Sequence, residues 1–166
     1  MEEYTKTSVK DKASESQASD IFFLTLSSRP PRASWVGGMP SEKPRILVVD
    51  DDRFIRALLE RTFGAAGYCV RTAPDVHQAT QMCAREFFDV VLSDVRMPGQ
   101  TGHDLARWLA NRCPATRPIL MTGLDTDCED CPISGRCSFL PKPFRPKEAV
   151  SVVNAVLAIH GQKIEK

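Results

Sequence analysis

Five polar residues, each placed just after a short apolar run of the sequence, have the chemistry needed to handle a phosphoryl group. They are the carboxylates Asp50, Asp51 and Asp94, the hydroxyl of Thr122 and the ammonium group of Lys142. Three carboxylates brought together repel one another and stay ionised only if a cation neutralises them, and hard oxygen ligands suit Mg²⁺. The lysine and threonine donors would then accommodate the charge of a transferring phosphoryl group by position and electrostatics.

Alternating strands and helices must position these residues. Continuous apolar runs at 46–49, 90–92 and 119–121 predict strands covered on both faces, and 68–72 and 138–140 are weaker strand candidates. Stripes at helical spacing lie between and after them, at Ile55, Leu58, Leu59 and Phe63, at Val76, Ala79, Thr80 and Cys83, at Leu105, Trp108 and Leu109, and at Ala149, Val152, Val153, Val156 and Leu157. This alternation predicts a doubly wound parallel α/β sheet, whose site lies at the carboxyl ends of the strands.

Composition limits the remaining possibilities for the 166-residue chain. With 22 Lys and Arg against 21 Asp and Glu, bulk charge argues against nucleic-acid binding. Residues 1–43 show neither a helical nor a strand period, and we expect a disordered tail. Because the composition changes abruptly after Met39, an alternative is that residues 1–38 are absent from the natural product. The apolar run 21–26 is too short to span a membrane and no signal peptide is recognisable, so we expect a cytoplasmic protein.

Four segments resemble the receiver domain of two-component response regulators, of the single-domain, chemotaxis-regulator-like kind. They are ILVVDDD at 46–52, LSDVRMPGQTGHDL at 92–105, the Thr122-Gly123 pair and LPKPF at 140–144. The resemblance covers roughly residues 44–160, with the motifs in the right order and spacing. It implies a flavodoxin-like fold with a five-stranded parallel sheet in the order 2-1-3-4-5, and it places the receiver domain at residues 44–162.

The resemblance also implies roles for individual residues. Asp94 would be the phosphoacceptor, attacking a phosphohistidine on a sensor kinase. Asp50 and Asp51, with Asp94 and the backbone carbonyl of Arg96, would hold Mg²⁺, and Lys142 would pair with the phosphoryl group.

A conformational switch is implied as well. Thr122 would move to hydrogen-bond the phosphoryl oxygen, the aromatic ring of Phe139 would turn inward after it, and Pro143 would follow a cis peptide bond. Since the residues after Phe144 suffice for only one more helix, we expect no output domain. The expected partners are a sensor histidine kinase or a histidine phosphotransfer protein and an unidentified downstream protein, without nucleic acid or membrane, and homodimer formation stays open. Such a module is modified itself and is not a multiple-turnover enzyme.

The segment between Thr122 and Ser138 departs from the family pattern, which places a fourth helix there. It carries Cys128, Cys131 and Cys137 with the spacing C-x₂-C-x₅-C, so we expect the helix to be shortened or replaced by a loop. Clustered thiols bind Zn²⁺ or an iron–sulfur cluster if a fourth ligand arrives, for which Asp125, Asp127, Glu129 or a partner cysteine are candidates. A reversible disulfide and unliganded thiols are the alternatives.

Smaller expectations concern single positions elsewhere in the chain. Cys69 and Cys83 are predicted to be buried structural thiols. Asp52 is predicted to cap the first helix, and the fourth strand looks about one residue short.

Two other functions compete with the receiver interpretation. Asp50 and Asp52 also form a D-x-D pattern after a strand, which is similar to phosphatases of the haloacid dehalogenase type that use the first aspartate as nucleophile. That family does not account for Asp94 followed by Met97 and Pro98. The second alternative is a degenerate receiver that senses metal or redox state through its cysteines. Which aspartate becomes phosphorylated distinguishes the first alternative from the receiver.

Overall fold

A computed structural model describes residues 43–123 and 137–161, with side chains as far as residue 159. Its strands are β1 (Arg45–Val49), β2 (Cys69–Ala73), β3 (Val90–Asp94), β4 (Arg117–Thr122) and β5 (Ser138–Pro141). Its helices are α1 (Arg53–Ala65), α2 (Val76–Arg85), α3 (Gly102–Arg112) and α4 (Pro146–Gly161). All strand pairs are parallel and the order is β2-β1-β3-β4-β5, which confirms the predicted fold class. In the described ranges, no helix has the length and apolar character that a bilayer crossing needs.

The sheet is covered on both faces because alternate strand residues point to opposite sides. On β1, Ile46 and Val48 join a buried cluster with α1 and α4, whereas Leu47 and Val49 join a second cluster with α2 and α3. All four side chains are fully buried. Each such aliphatic side chain contributes roughly 1.5–3 kcal/mol when removed from water. The two clusters therefore fix the strand, and with it the residues that follow its carboxyl end.

Helix caps bring the helices to that same edge. The Asp52 carboxylate accepts a hydrogen bond from the Phe54 amide at 2.7 Å, which confirms the predicted cap of α1. At the start of α3, Thr101 and Asp104 form a reciprocal capping box. The hydrogen bonds from Thr101 lower the pKa of Asp104 below its ordinary value. Each cap fixes the residue at which the connection after a strand enters a helix.

Several single-residue expectations were wrong. Cys69 is exposed, because β2 is an edge strand and its first residues alternate between exposed and half-buried. Leu58 is 45% exposed although it belongs to the apolar stripe of α1, since α4 covers only part of that stripe. β4 has six residues and is the longest described strand. The expectations for the segment after Thr122, including its shortened helix, lie outside the described residues.

Other cysteine positions agree with expectation or extend it. Cys83 is buried on α2, as predicted. Cys113 is also buried, at the end of α3, with its sulfur 3.9 Å from the Cys83 carbonyl oxygen. Both side chains belong to the core between α2, α3 and the sheet.

Gly102, the first residue of α3, lies against the backbone of β3. A Cβ atom at this position would stand 2.3 Å from the Asp94 carbonyl oxygen and 3.1 Å from the Asp94 carbonyl carbon. Both are main-chain atoms, so no side-chain rotation relieves the overlap. The amide of Gly102 also donates a hydrogen bond to the Val95 carbonyl at 3.1 Å. The absent side chain therefore lets α3 begin directly on the turn that follows Asp94.

Replacing Gly102 with Ala is expected to lower the free energy of unfolding by about 1–3 kcal/mol, the usual cost of forcing extra volume into a packed position. Equilibrium urea unfolding of the full chain measures this. Gly64→Ala is the matched control, because it lies within α1 with nothing inside 4 Å of its Cβ position. There we expect a gain of up to about 1 kcal/mol from helix propensity. Equal stability of the Gly102→Ala variant and the wild type would contradict the close approach.

Candidate functional site

The structure brings three carboxylates together at the carboxyl edge of the sheet. Asp50 and Asp51 directly follow β1, and Asp94 is the last residue of β3. β1 and β3 are neighbours in the sheet, with Val49 opposite Ser93. One oxygen from each of the three carboxylates lies within 4.8 Å of the others. The oxygens are therefore close enough to bind one cation together.

Lys142 places its ammonium group between two of these carboxylates. The residue follows β5, and its amide donates a hydrogen bond to the Thr122 carbonyl. Its Nζ lies 3.3 Å from Asp50 Oδ2 and 3.2 Å from Asp94 Oδ1. The Lys142-Pro143 peptide is cis, as expected. One lysine charge thus faces two carboxylates, while the Asp51 carboxylate forms no ion pair within the described ranges.

The carboxylates differ in their exposure to solvent. Asp50 is 1% exposed, and its Oδ1 accepts a hydrogen bond from the Asp52 amide at 2.8 Å. Burial raises the pKa of Asp50 above its ordinary value and the Asp94 charge adds to this, although the Asp52 amide and Lys142 oppose both. Asp51 is exposed, and the Asp94 side chain is 14% exposed. A ligand arriving from solvent therefore meets Asp51 and Asp94 before Asp50.

Thr122 and Phe139 lie on the two strands beyond β3. Thr122 ends β4 and is buried, with its hydroxyl donating to the Gly123 carbonyl at 3.0 Å. Phe139 lies on β5 and is 38% exposed. β4 pairs with β3 through Asp94 and Met121. Thr122 consequently lies at the same sheet edge as the carboxylates, while Phe139 is two residues further from that edge along β5.

The remaining predicted site residues fall into two groups. Arg96 has an exposed side chain two residues after Asp94. Cys128 and Cys131 lie outside the described residues. Cys137 is half-buried and packs against a small cluster of Val95, Ala106 and Leu120. The cysteine site therefore stays a sequence-based prediction.

The sequence analysis did not predict the contacts that Arg56 makes beside the acidic cluster. Its guanidinium Nη1 donates to the backbone carbonyl oxygens of Asp50 at 2.7 Å and Asp51 at 3.0 Å. The only signal in the sequence is an arginine four residues after the cap residue Asp52, and that spacing is common on exposed helix faces. The close approach of Gly102, the first residue of α3, to the Asp94 carbonyl was not predicted either.

Fold and site together define a class, namely flavodoxin-like α/β domains with an acidic cation pocket and a lysine at the carboxyl edge of a 2-1-3-4-5 sheet. Within that class the chain belongs to the response regulator receiver domain family, whose model matches residues 46–154. It is therefore a receiver domain of two-component signalling. Receiver domains bind Mg²⁺ at an acidic pocket, and Asp50, Asp51 and Asp94 form such a pocket here.

Individual relatives agree with this assignment. The chain is 35% identical to Protein PetR of Rhodobacter capsulatus, over 72% of this chain and 51% of that protein. It is 36% identical to the DNA-binding transcriptional regulator NtrC of Escherichia coli K12, over 71% of this chain and 26% of that protein. Among solved structures, chemotaxis response regulator CheY4 of Vibrio cholerae matches with a TM-score of 0.62 and 29% identity, over 69% of this chain and 99% of that one. The chain spans about half or less of these curated relatives.

Neutralising Asp50 is expected to stabilise the metal-free protein. Because the folded-state pKa of Asp50 is raised, stability falls as pH rises from the ordinary value of 3.8 through the raised value. Asp50→Asn keeps an oxygen for the Asp52 amide and carries no charge at any pH. In chelator at pH 7 we therefore expect its free energy of unfolding to exceed that of wild type.

Thermal unfolding at a series of pH values tests this difference. It should vanish below the ordinary aspartate pKa, where the wild-type side chain is protonated in both folded and unfolded states. Asp51→Asn is the matched control, since this neighbouring carboxylate is exposed and should change stability little. A constant difference between Asp50→Asn and wild type at all pH values would rule out the electrostatic explanation.

Proposed function

We propose that this receiver accepts a phosphoryl group on Asp94 from a phosphohistidine of a sensor histidine kinase or a histidine phosphotransfer protein. The observation that carries the proposal is the position of Asp94. Its carboxylate is the one member of the acidic cluster that is both partly exposed and in contact with the Lys142 ammonium group at 3.2 Å. It is therefore reachable from solvent and lies beside a positive charge.

The chemistry follows from the surrounding groups. A carboxylate oxygen of Asp94 attacks phosphorus, the phosphorus–nitrogen bond of the donor breaks, and its electron pair stays on the imidazole nitrogen, which takes a proton. Mg²⁺, when bound, neutralises negative charge on the phosphoryl oxygens and the acidic cluster. Asp50, Asp51, Asp94 and the backbone carbonyl of Arg96 are the groups proposed to hold it. Lys142 already touches Asp94 and would pair with a phosphoryl oxygen.

Asp50 is poorly suited to be the nucleophile of a phosphatase. It is 1% exposed, its Oδ1 is engaged by the Asp52 amide, and its Oδ2 is engaged by Lys142. An attack on phosphorus needs an oxygen that can approach the substrate in line. The haloacid dehalogenase alternative therefore receives no support from this geometry, whereas Asp50 as a metal-holding carboxylate fits its burial and fixed orientation.

The proposed output is a change of protein contacts. Phosphorylation would draw the buried Thr122 hydroxyl away from the Gly123 carbonyl and toward the phosphoryl group, leaving room for the half-exposed Phe139 ring to turn inward. A downstream protein, still unidentified, would bind one of the two states better and so shift the population. Homodimer formation is one form that this contact could take. A Zn²⁺, iron–sulfur or redox role of Cys128, Cys131 and Cys137 stays a separate, sequence-based prediction.

Acetyl phosphate with Mg²⁺ is expected to add one phosphoryl group to the protein, detected by intact mass. Asp94→Asn should abolish the adduct, and Lys142→Met should slow its formation about 100-fold, because a positioned charge on the transferring group is lost. Asp89→Asn is the matched control, as it precedes the opposite end of the same strand β3. An adduct that survives in Asp94→Asn and disappears in Asp50→Asn would instead establish the phosphatase chemistry.

Thr122→Ala is expected to separate phosphorylation from switching. The adduct should form to the same extent, since the hydroxyl takes no part in bond formation. The phosphorylation-dependent shift of the Phe139 resonance, followed by fluorine NMR of fluorophenylalanine-labelled protein, should be lost. Thr122→Ser keeps the hydroxyl and should retain the shift. A full Phe139 response in Thr122→Ala would show that the ring moves independently of Thr122.

A further inference from the structure

We propose that Arg56 is a positioning residue for the cation site, acting through the main chain of Asp50 and Asp51. This inference rests on the proposed function, because it concerns the same acidic cluster. The Arg56 guanidinium donates from one nitrogen, Nη1, to both backbone carbonyls, at 2.7 and 3.0 Å. It thereby links two consecutive peptide groups that carry two of the three carboxylates.

These two peptide groups come directly after the last hydrogen bond to the sheet, which the Asp50 amide donates to the Ala73 carbonyl of β2 at 3.3 Å. The last paired residue of β1 is Val49, opposite Ala73 of β2. Helix α1 begins only at Arg53, after the cap residue Asp52. The carbonyls of Asp50 and Asp51 therefore belong to a short connection between two rigid elements. Arg56 is anchored in α1, since its own amide donates to the Asp52 carbonyl at 3.1 Å.

The orientation of a carboxylate depends on the peptide groups on either side of it. A change of ψ at Asp50 or of φ at Asp51 would turn the two side chains relative to each other. A carboxylate displaced by a fraction of an ångström binds a small, rigidly coordinated cation less well. By fixing both carbonyls, Arg56 fixes the directions in which Asp50 and Asp51 project. Outer contacts of this kind commonly change metal affinity about 10- to 100-fold.

Arg56 does not serve as a counter-ion to the cluster. The ion pairs with Asp50 and Asp94 come from Lys142, and in the described part of the chain no ion pair joins Arg56 to a carboxylate. Among the described residues, the hydrogen bonds of its guanidinium go to the carbonyl oxygens of Asp50 and Asp51. Two variants can therefore separate a positioning role from a charge role. Arg56→Met and Arg53→Met each remove one positive charge from α1, but only the first removes the contacts with the two carbonyls.

The test compares Arg56→Met and Arg56→Lys with Arg53→Met in the full chain. Arg53 also lies on α1, where its guanidinium stacks on the Phe54 ring with 4.7 Å to the ring centre. Calorimetric titration of the chelator-treated protein gives the Mg²⁺ dissociation constant. We expect about 10-fold weaker binding in Arg56→Met, in line with other outer contacts of metal sites. Arg56→Lys should fall between this variant and wild type, and Arg53→Met should bind like wild type.

Phosphorylation kinetics give a second measurement, because a variant that only destabilises the fold would not change the Mg²⁺ dependence of the rate in this way. The Mg²⁺ concentration for half-maximal modification by acetyl phosphate should rise in Arg56→Met in proportion to the dissociation constant, while the rate at saturating Mg²⁺ stays near that of wild type. Wild-type Mg²⁺ affinity in Arg56→Met, or an equal loss in Arg53→Met, would overturn the inference. If Arg56→Met does not fold, the comparison of Arg56→Lys with Arg53→Met decides on the same terms. A wild-type protein that neither binds Mg²⁺ nor becomes modified would instead overturn the proposed function.

Discussion

Repulsion among three carboxylates at one sheet edge is the constraint around which this domain is built. Their oxygens lie within 4.8 Å of one another, and like charges at such separations repel each other even at the effective dielectric of a protein surface. The Lys142 ammonium offsets part of this at 3.3 and 3.2 Å. Burial nevertheless raises the pKa of Asp50, so the metal-free site costs the fold stability. A cation or a Mg²⁺-phosphoryl group that binds only the folded state relieves this repulsion and stabilises the fold. The same repulsion therefore favours binding of a cation at the site.

The fold keeps the charged groups together by making their supports rigid. β1 and β3 are buried on both faces by separate clusters, so neither strand can tilt to relieve the repulsion. Beyond the ends of β1 and β3, three contacts that involve the main chain hold the carboxylates in place. The Asp52 amide holds the Asp50 carboxylate, the Arg56 guanidinium holds the carbonyls that follow β1, and the missing side chain of Gly102 lets α3 pack against the carbonyl of Asp94. Rigidity therefore passes from the hydrophobic core to the carboxylates through hydrogen bonds and close backbone contacts.

The sequence predicts those parts of the structure that depend on periodicity or on residue type at a strand end. Continuous apolar runs predict β1 and β3, and the sheet topology then brings Asp50, Asp51 and Asp94 to one edge. Periodicity says which face a residue occupies but not whether another element covers that face, and for this reason the exposure of Cys69 and Leu58 was missed. The contacts of Arg56 and Gly102 with main-chain atoms of other elements leave no pattern in the sequence, because any residue supplies a carbonyl. They become visible only once α1 and α3 are placed against the sheet.

Lys142 connects the acidic cluster to the part of the sheet that the proposed switch involves. Its ammonium touches Asp50 and Asp94, whereas its amide donates to the carbonyl of Thr122 at the end of β4. In the proposed phosphorylated state, the new negative charge on Asp94 attracts both the ammonium group and the Thr122 hydroxyl, which in the present structure bonds to the neighbouring Gly123 carbonyl. The ends of β4 and β5 are hydrogen-bonded to each other, so in the proposed switch a rearrangement of Thr122 would be transmitted to β5 and to Phe139. In this proposal, a change of charge at Asp94 alters the surface around Phe139 without disturbing the core. The groups that connect them, Lys142 and Thr122, lie at the carboxyl edge of the sheet.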